Sequence, residues 1–356
     1  MAPKIFITGI TGYIAGDAFY AIHKAHADYE YSALIRTEEK AGKVRASYPD
    51  VRVVIGGLDD SSIIEEESAK ADIVLHAADA SDHEGAAKAI EAGILKGHSA
   101  ERPGFWLHTG GTGILTYFDP SKERFGEEPD REFNDWSGVK ELATLPDDAF
   151  HRNVDKIVLE AGTKHADVIK TALFDELEGT VVGSYLSILS TADGIGRGPV
   201  SGRGRQAYEL AKTILQKGYA PIIGEGRAHW DNVHVHDLSE VYLALVDAAV
   251  EQKLDSELWG EKGYFFVANG RHVCGDLSRL IAQKASDAGY IPKEFEEQKL
   301  SKDEAWELAD FQALSWGLNS QGKAERARKV LGWQPKEGSL EDEVPHIIEQ
   351  EKGRLQ

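Results

Sequence analysis

Lys4–Gly16 reads KIFITGITGYIAG. An apolar β run meets three glycines, Gly9, Gly12 and Gly16, and the residues after them carry a helical pattern. Such glycines are a weak signal alone, but a strand before and a helix after give them a mechanism. Gly9 permits a tight turn. Gly12 lets the backbone approach a pyrophosphate seated on the helix N-terminus, where N–H groups and the dipole favour negative charge. Ala15 fills the third small position. Thr8, Thr11, Tyr13 and Ile14 share the turn and are candidate cofactor contacts.

Outward from this turn, short β runs alternate with helical stretches. KIFIT (4–8), YSALIR (31–36), VRVVIG (51–56), DIVLHAA (72–78) and GFWLHTG (104–110) read as strands. Helices are expected over Gly16–His26, Glu38–Ser47 and His83–Gly97. The runs are continuously apolar, as strands covered on both faces require. The pattern predicts an α/β fold, a Rossmann-like doubly wound parallel sheet with right-handed crossovers. Beyond about residue 175 the alternation breaks down. RQAYELAKTILQKG reads as an amphipathic helix, WDNVHVHDLSEVYLALVDAAV as a strand, a turn with Asp237 as N-cap and a buried helix, and GYFFVANG as a strand. The expected organisation is a Rossmann domain over 1–178, joined again by 229–250, with a smaller C-terminal α+β substrate lobe over 179–356.

Composition narrows the function. The formal net charge is −20, which opposes nucleic-acid binding, since that needs clustered Lys and Arg to neutralise phosphates. No apolar run approaches the ~18 residues that span a bilayer, and the strand pattern begins at Lys4, leaving no expected leader. The single cysteine, Cys274, excludes an internal disulfide and a cysteine-rich zinc site. The expectation is a cytoplasmic protein with a small-molecule substrate and no nucleic-acid or membrane partner; a homodimer through paired helices fits such a fold. Arg197, Arg203 and Arg205, in GRGPVSGRGRQ, form either a solvated loop or a clamp for an anion.

Which dinucleotide binds depends on the end of the second strand, where an acid about 20 residues on would hold the ribose hydroxyls of NAD. The chain reads IRTEEK there. Arg36 comes first and Lys40 one turn later, and a guanidinium grips a 2′-phosphate with paired hydrogen bonds. NADP is therefore expected ahead of NAD. Leu58, after the third strand run, is a further candidate contact.

These residues resemble the extended short-chain dehydrogenase/reductase family, of the NAD(P)-dependent epimerase/dehydratase type with drift toward atypical members, and in particular its fungal NAD(P)-binding members. TGITGYIAG resembles that family's nucleotide loop, ADIVLHAA (71–78) its fourth-strand motif, NVHVHDLSEVYLALV its VHVxD segment, and ARKVLGWQPK (327–336) its LGWxP signature. The resemblance places His76, Ala77 and Ala78 beside the cofactor. In the family a Tyr-x-x-x-Lys pair shares a helical face; the tyrosine exchanges a proton with substrate and the lysine holds the nicotinamide ribose. Here HRNVDK keeps Lys156 but sets Arg152 at the tyrosine position. Arginine stays protonated and cannot serve as acid or base, though it can bind an oxyanion. His151 titrates near neutrality as a residue type but stands one position off that face, rotated by roughly 100°.

The family's catalytic Ser/Thr position aligns with Gly111, flanked by Thr109 and Thr112. Either hydroxyl can donate to a substrate carbonyl, Thr112 being preferred, or satisfy turn backbone. Tyr117 is a replacement acid or a packed aromatic. A proline-rich segment usual after strand six is replaced across 174–194 by roughly a dozen extra residues, the length of a functional surface loop. His234 and His236 of HVHD share a strand face, with His229 nearby, but no acid or cysteine completes a convincing metal set, and the expected reading is a strand edge whose Asp237 caps the next helix, with no metal. The leading expectation is an NADP-dependent oxidoreductase acting on a small carbonyl or alcohol, with Lys156, Arg152, Thr112, Tyr117 and His151 as the catalytic candidates. The alternatives are an NADP-binding regulator or redox sensor resembling NmrA-like proteins, and a non-redox isomerase or lyase.

Overall fold

The computed structural model describes residues 2–176, 178–179, 189–190 and 192–356, with side chains over all of these except 175–193. Most of the irregular stretch 174–194 therefore lies outside the described residues. Strand β1 (Lys4–Thr8), helix α1 (Tyr13–Ala25), β2 (Glu30–Ile35), α2 (Glu38–Ser47), β3 (Arg52–Ile55), α3 (Ser61–Lys70), β4 (Ile73–His76), α4 (Glu84–Gly97) and β5 (Gly104–Gly111) alternate as expected. Helix α5 (Arg152–Lys164) leads into β6 (Ile169–Glu176). After α6 (Gln206–Lys217) and β7 (Ala220–Ile223), strand β8 (His229–His234) runs into helix α7 (Val235–Val250). Strand β9 (Tyr264–Phe266) completes the sheet, whose order is β9-β6-β5-β4-β1-β2-β3. Every pairing in it is parallel.

The alternation along each strand explains the apolar runs. Phe6, Val74 and Trp106 pack on one face with Ile90, Ile94, Val154 and Val158 of α4 and α5. Ile5, Ile7, Leu75 and Leu107 pack on the other with Phe19 of α1 and Val241 and Leu245 of α7. Each fully buried Leu, Ile or Phe contributes about 1.5–3 kcal/mol, so neither face tolerates a register slip.

The rest of the chain builds smaller sheets. β8 pairs with β10 (Gly270–Val273), and β7 with β11 (Glu297–Leu300), around helix α8 (Cys274–Asp287) and helix α9 (Leu340–Arg354). Trp106, Trp230 and Trp333 are all buried. Asp237 does not cap α7, as the sequence suggested. The cap is His234, whose Nδ1 accepts the His236 backbone N–H at 3.2 Å. Asp237 sits inside the first turn and accepts N–H groups from Asn269, Lys336 and Glu337, pinning the C-terminal segment to the helix.

The glycine-rich arginine loop is neither solvated nor a free clamp. Arg197 binds the buried Asp17 of α1 through Nε and Nη2, and Arg203 grips Glu351 of α9 at 2.6 and 3.0 Å.

Candidate active site

Gly9 has φ +88°, a left-handed value open to glycine. A Cβ there would stand 2.9 Å from Ala77 C and O and Ala78 N. The turn after β1 thus closes directly on the end of β4. Thr8 Oγ1 accepts the backbone N–H groups of Ala77 and Ala78, both at 3.3 Å, and lies 2.6 Å from His76 Nδ1. With both lone pairs engaged, the hydroxyl proton points to Nδ1, which places the imidazole proton on Nε2. Helix α1 begins on Gly12 with no side-chain cap and no acid in its first turn. Its leading N–H groups are the donors an anion needs, so the cradle fits the pyrophosphate of a nicotinamide dinucleotide. Thr11 is half-buried beside it and Ile14 is buried. Tyr13 is also buried, and its hydroxyl donates to Gly194 O at 2.7 Å.

At the end of β2, Glu38 pairs with Arg45 and Glu39 with Lys43. Arg36 is exposed, and neither it nor Lys40 has an ion pair among the described residues. The acids of IRTEEK are engaged along α2, while its arginine is close enough to Asp79 to draw that carboxyl down. Burial and the Asp82 carboxylate outweigh that pull and hold Asp79 above its ordinary range. Leu58 is half-buried near this edge.

The catalytic candidates separate into two groups. His151 is the N-cap of α5 and adopts φ +62°, ψ −9°. A non-glycine residue in this region is uncommon and costs of order 1 kcal/mol or more. The sequence reading rotated His151 by one helical step off the active face. That helical rotation does not apply, because residue 151 is the cap and its backbone is left-handed rather than helical. Its ring is buried, Nδ1 lies 2.9 Å from Asp82 Oδ1, and its edge lies against Gly111. A Cβ on Gly111 would stand 2.6 Å from His151 Nε2 and 2.7 Å from Cδ2. The imidazole fills the space that a side chain at the family's Ser/Thr position would take.

One turn further along the helix, Asp155 is fully buried and receives the Tyr264 hydroxyl at 3.2 Å. Burial pushes its carboxyl up, opposed by nearby His151 and Arg152. His151 and Asp155 therefore share the i, i+4 spacing read for Arg152 and Lys156. Arg152 is buried, with Nη2 on Ala143 O at 2.7 Å and no partner for Nε or Nη1 among the described residues. Lys156 lies apart from this group, its Nζ 2.8 Å from the exposed Asp147.

The other candidates lie apart from this group. Thr109 Oγ1 bonds the Tyr242 hydroxyl at 2.7 Å. Thr112 is fully buried; its carbonyl receives Ser320 Oγ, while its own hydroxyl has no hydrogen-bond partner among the described residues. Tyr117 packs tilted against Phe118 and accepts from Arg131 Nη1 at 3.4 Å, and desolvation raises its hydroxyl further from neutrality.

Beneath the site, His76 and His108 are register partners on β4 and β5 with ring centroids 5.4 Å apart. Both are fully buried, and burial pushes His76 down to about 3 and His108 well below its usual value. Sequence reasoning missed Asp82, Asp155 and His108. The only available signal was the acid-rich run ADASDHEG that follows β4.

No family model matches the chain. Oxidase ucsJ of an Acremonium species is 37% identical over 363 aligned residues, covering 100% of this chain and 99% of that protein. Among solved structures, the Bacillus cereus UDP-glucuronic acid 4-epimerase, in complex with UDP-glucuronic acid and NAD, aligns with TM-score 0.64 at 12% identity, covering 99% of each chain. Yeast methylglyoxal/isovaleraldehyde reductase Gre2, complexed with NADPH, aligns with TM-score 0.60 at 14% identity, again covering 99% of each. Among the described residues no helix is long and apolar enough to cross a membrane.

Proposed function

The chain belongs to the extended short-chain dehydrogenase/reductase family, on its NAD(P)-dependent epimerase/dehydratase side, and on that premise we propose that it is an NADP-dependent oxidoreductase of a small carbonyl or alcohol in which His151 replaces the family's tyrosine. The observation that carries the reading is the His151 ring seated against Gly111 with Nδ1 on Asp82. A bound nicotinamide supplies or accepts the hydride; the protein's own residues manage the proton and the geometry. A carboxylate only accepts, so Asp82 fixes the imidazole proton on Nδ1 and turns Nε2 toward the end of β5. In the reducing direction the protonated imidazole gives its Nε2 proton to the substrate oxygen and keeps the Nδ1 proton held by Asp82; Nε2 is reprotonated by water that enters when product leaves. Asp155, buried one turn below, balances the positive charge of the imidazolium before that transfer.

Three other residues have supporting roles. Arg36 holds the 2′-phosphate. Lys156 holds the nicotinamide ribose, since its surface pair with Asp147 is worth at most about 1 kcal/mol and does not restrain the amine. Arg152, with two guanidinium nitrogens unpartnered among the described residues, orients a polar or anionic group.

The test is NADPH oxidation with a panel of short aldehydes and ketones, comparing wild type with His151→Gln. Loss of the acid is expected to lower kcat by about 10²–10⁴-fold while calorimetry shows NADPH affinity unchanged. Turnover that survives the substitution refutes the assignment. Tight NADPH binding with no turnover by the wild type on any carbonyl would leave the sensor reading.

A further inference from the structure

The histidines of HVHD meet an acid that lies about a hundred residues later in the sequence. Donor atoms of His234, His236 and Glu337 all lie within 4.8 Å of one another. His234 is buried, His236 is partly buried, and Glu337 is exposed on one side. Glu337 arrives because Asp237 takes its backbone N–H and that of Lys336, folding the segment after LGWQP onto the start of α7.

The hydrogen-bond roles leave a gap that needs a cation or a proton. His236 Nε2 lies 3.0 Å from the backbone carbonyl of Ile195, and a carbonyl can only accept. The ring proton is therefore on Nε2, and Nδ1 presents a lone pair. That lone pair faces Glu337 Oε1 at 3.4 Å, so two acceptors confront each other. The separation matches the edge of a tetrahedron around an ion with ligands at ~2.0–2.1 Å, which is about 3.3 Å. A histidine whose second nitrogen donates to a backbone carbonyl is also the arrangement that orients a metal-ligating imidazole. The His234 ring stands edge-on to His236, centroids 4.5 Å apart, and its Nδ1 cap bond to the His236 N–H is long at 3.2 Å. A cation taken by that nitrogen displaces only this weak contact.

We propose that His234, His236 and Glu337 form a binding site for a divalent cation of the zinc class, with water in the fourth position on the exposed Glu337 side. Two imidazoles and one carboxylate suit Zn²⁺ over Mg²⁺ or Ca²⁺, which prefer all-oxygen shells. The site is independent of the acid–base reading above, since none of its ligands belongs to the His151 group. Its effect is to tie three segments together: the Ile195 loop, the start of α7 and the segment before α9. Through Tyr13 and Asp17, the first of these also rests on α1.

The rival is a proton, which would make His236 an imidazolium paired with Glu337. Titrating tag-free, metal-stripped protein with Co²⁺, a coloured stand-in for Zn²⁺, separates the two. The expected result is one equivalent bound with tetrahedral visible bands, displaced by Zn²⁺. Both His236→Gln and Glu337→Gln should lose those bands, and His229→Gln should keep them. Wild-type protein without bands, or bands that survive in either ligand variant, overturns the site. Zn²⁺ should also raise the thermal midpoint of the wild type and leave that of the Glu337→Gln protein unmoved; thermal melts of the metal-free proteins show that each variant is folded.

Discussion

Gly111→Ala tests the active-site geometry with one methyl group. Gly111 has φ −138° and ψ 122°, an extended backbone that any residue adopts, so the substitution brings no main-chain strain. The new methyl would stand 2.6 Å from His151 Nε2, against an ordinary contact of 3.4 Å or more. The ring must retreat by most of an ångström. It must shift or tilt on its 2.9 Å hydrogen bond to Asp82, and Nε2 leaves its place at the end of β5. A displacement of about 1 Å at a reacting group costs on the order of 10²-fold in rate, or about 2.7 kcal/mol. The assay is steady-state NADPH oxidation with the best carbonyl from the panel, together with a thermal melt. We expect kcat to fall by about 10²-fold, NADPH affinity to hold, and stability to change by about 1 kcal/mol, because a side chain yields rather than backbone. Full activity in a folded Gly111→Ala protein would show that the His151 ring takes no part, and the acid–base assignment would fall with it.

Three further outcomes follow from the same structure. Buried His76 and His272, both pushed down to about 3 by desolvation, stay neutral in the folded protein while the unfolded chain protonates below about pH 6.5. Their stabilisation is thus present above that pH and lost as it falls. Between pH 7.5 and 5.5 the loss is about 2.7 kcal/mol, against which Asp135, raised to about 6 by burial, regains about 0.8 kcal/mol as it protonates. Urea midpoints that stay flat across this range would contradict the burial of these rings. Arg36→Ala should weaken NADPH by about 10–100-fold, the worth of a charge-assisted pair, and leave NADH affinity nearly unchanged; equal losses for both would place the arginine elsewhere. Lys156→Ala should weaken both cofactors by about tenfold, whereas Asp147→Asn should leave them within a factor of about two, measured by the same calorimetry.

What could be read ahead of the structure, and what could not, follows from the range over which each signal acts. The glycine turn was legible because its meaning is local: strand, Gly9, Gly12 and helix are contiguous, and the ends of β1 and β4 meet at Ala77–Ala78 as that turn requires. The setting of Arg36 is equally local, its acidic neighbours being neutralised within their own helix by Lys43 and Arg45. The proton donor was harder. The stretch HRNVDK offers two pairs at i, i+4, His151 with Asp155 and Arg152 with Lys156, and spacing cannot choose between them. The proposed assignment to His151 rests on one backbone angle, φ +62°, and on the missing side chain at Gly111, forty residues earlier. Neither has a sequence signature of its own, but they are complementary: the imidazole occupies the volume that the glycine vacates. Glu337 was illegible for the same physical reason, since it reaches His236 only through the buried Asp237, whose carboxylate takes the Glu337 backbone N–H. Buried acids that accept backbone N–H groups set the distant contacts in this chain, Asp237 at α7 and Asp135 beside Arg326, and their sequence neighbourhoods look like ordinary caps and turns. Hence reverting the pair at once, His151→Tyr with Gly111→Ser, is not expected to recover the family's chemistry, because a tyrosine at 151 would inherit the left-handed backbone and the Asp82 carboxylate rather than a lysine one turn below.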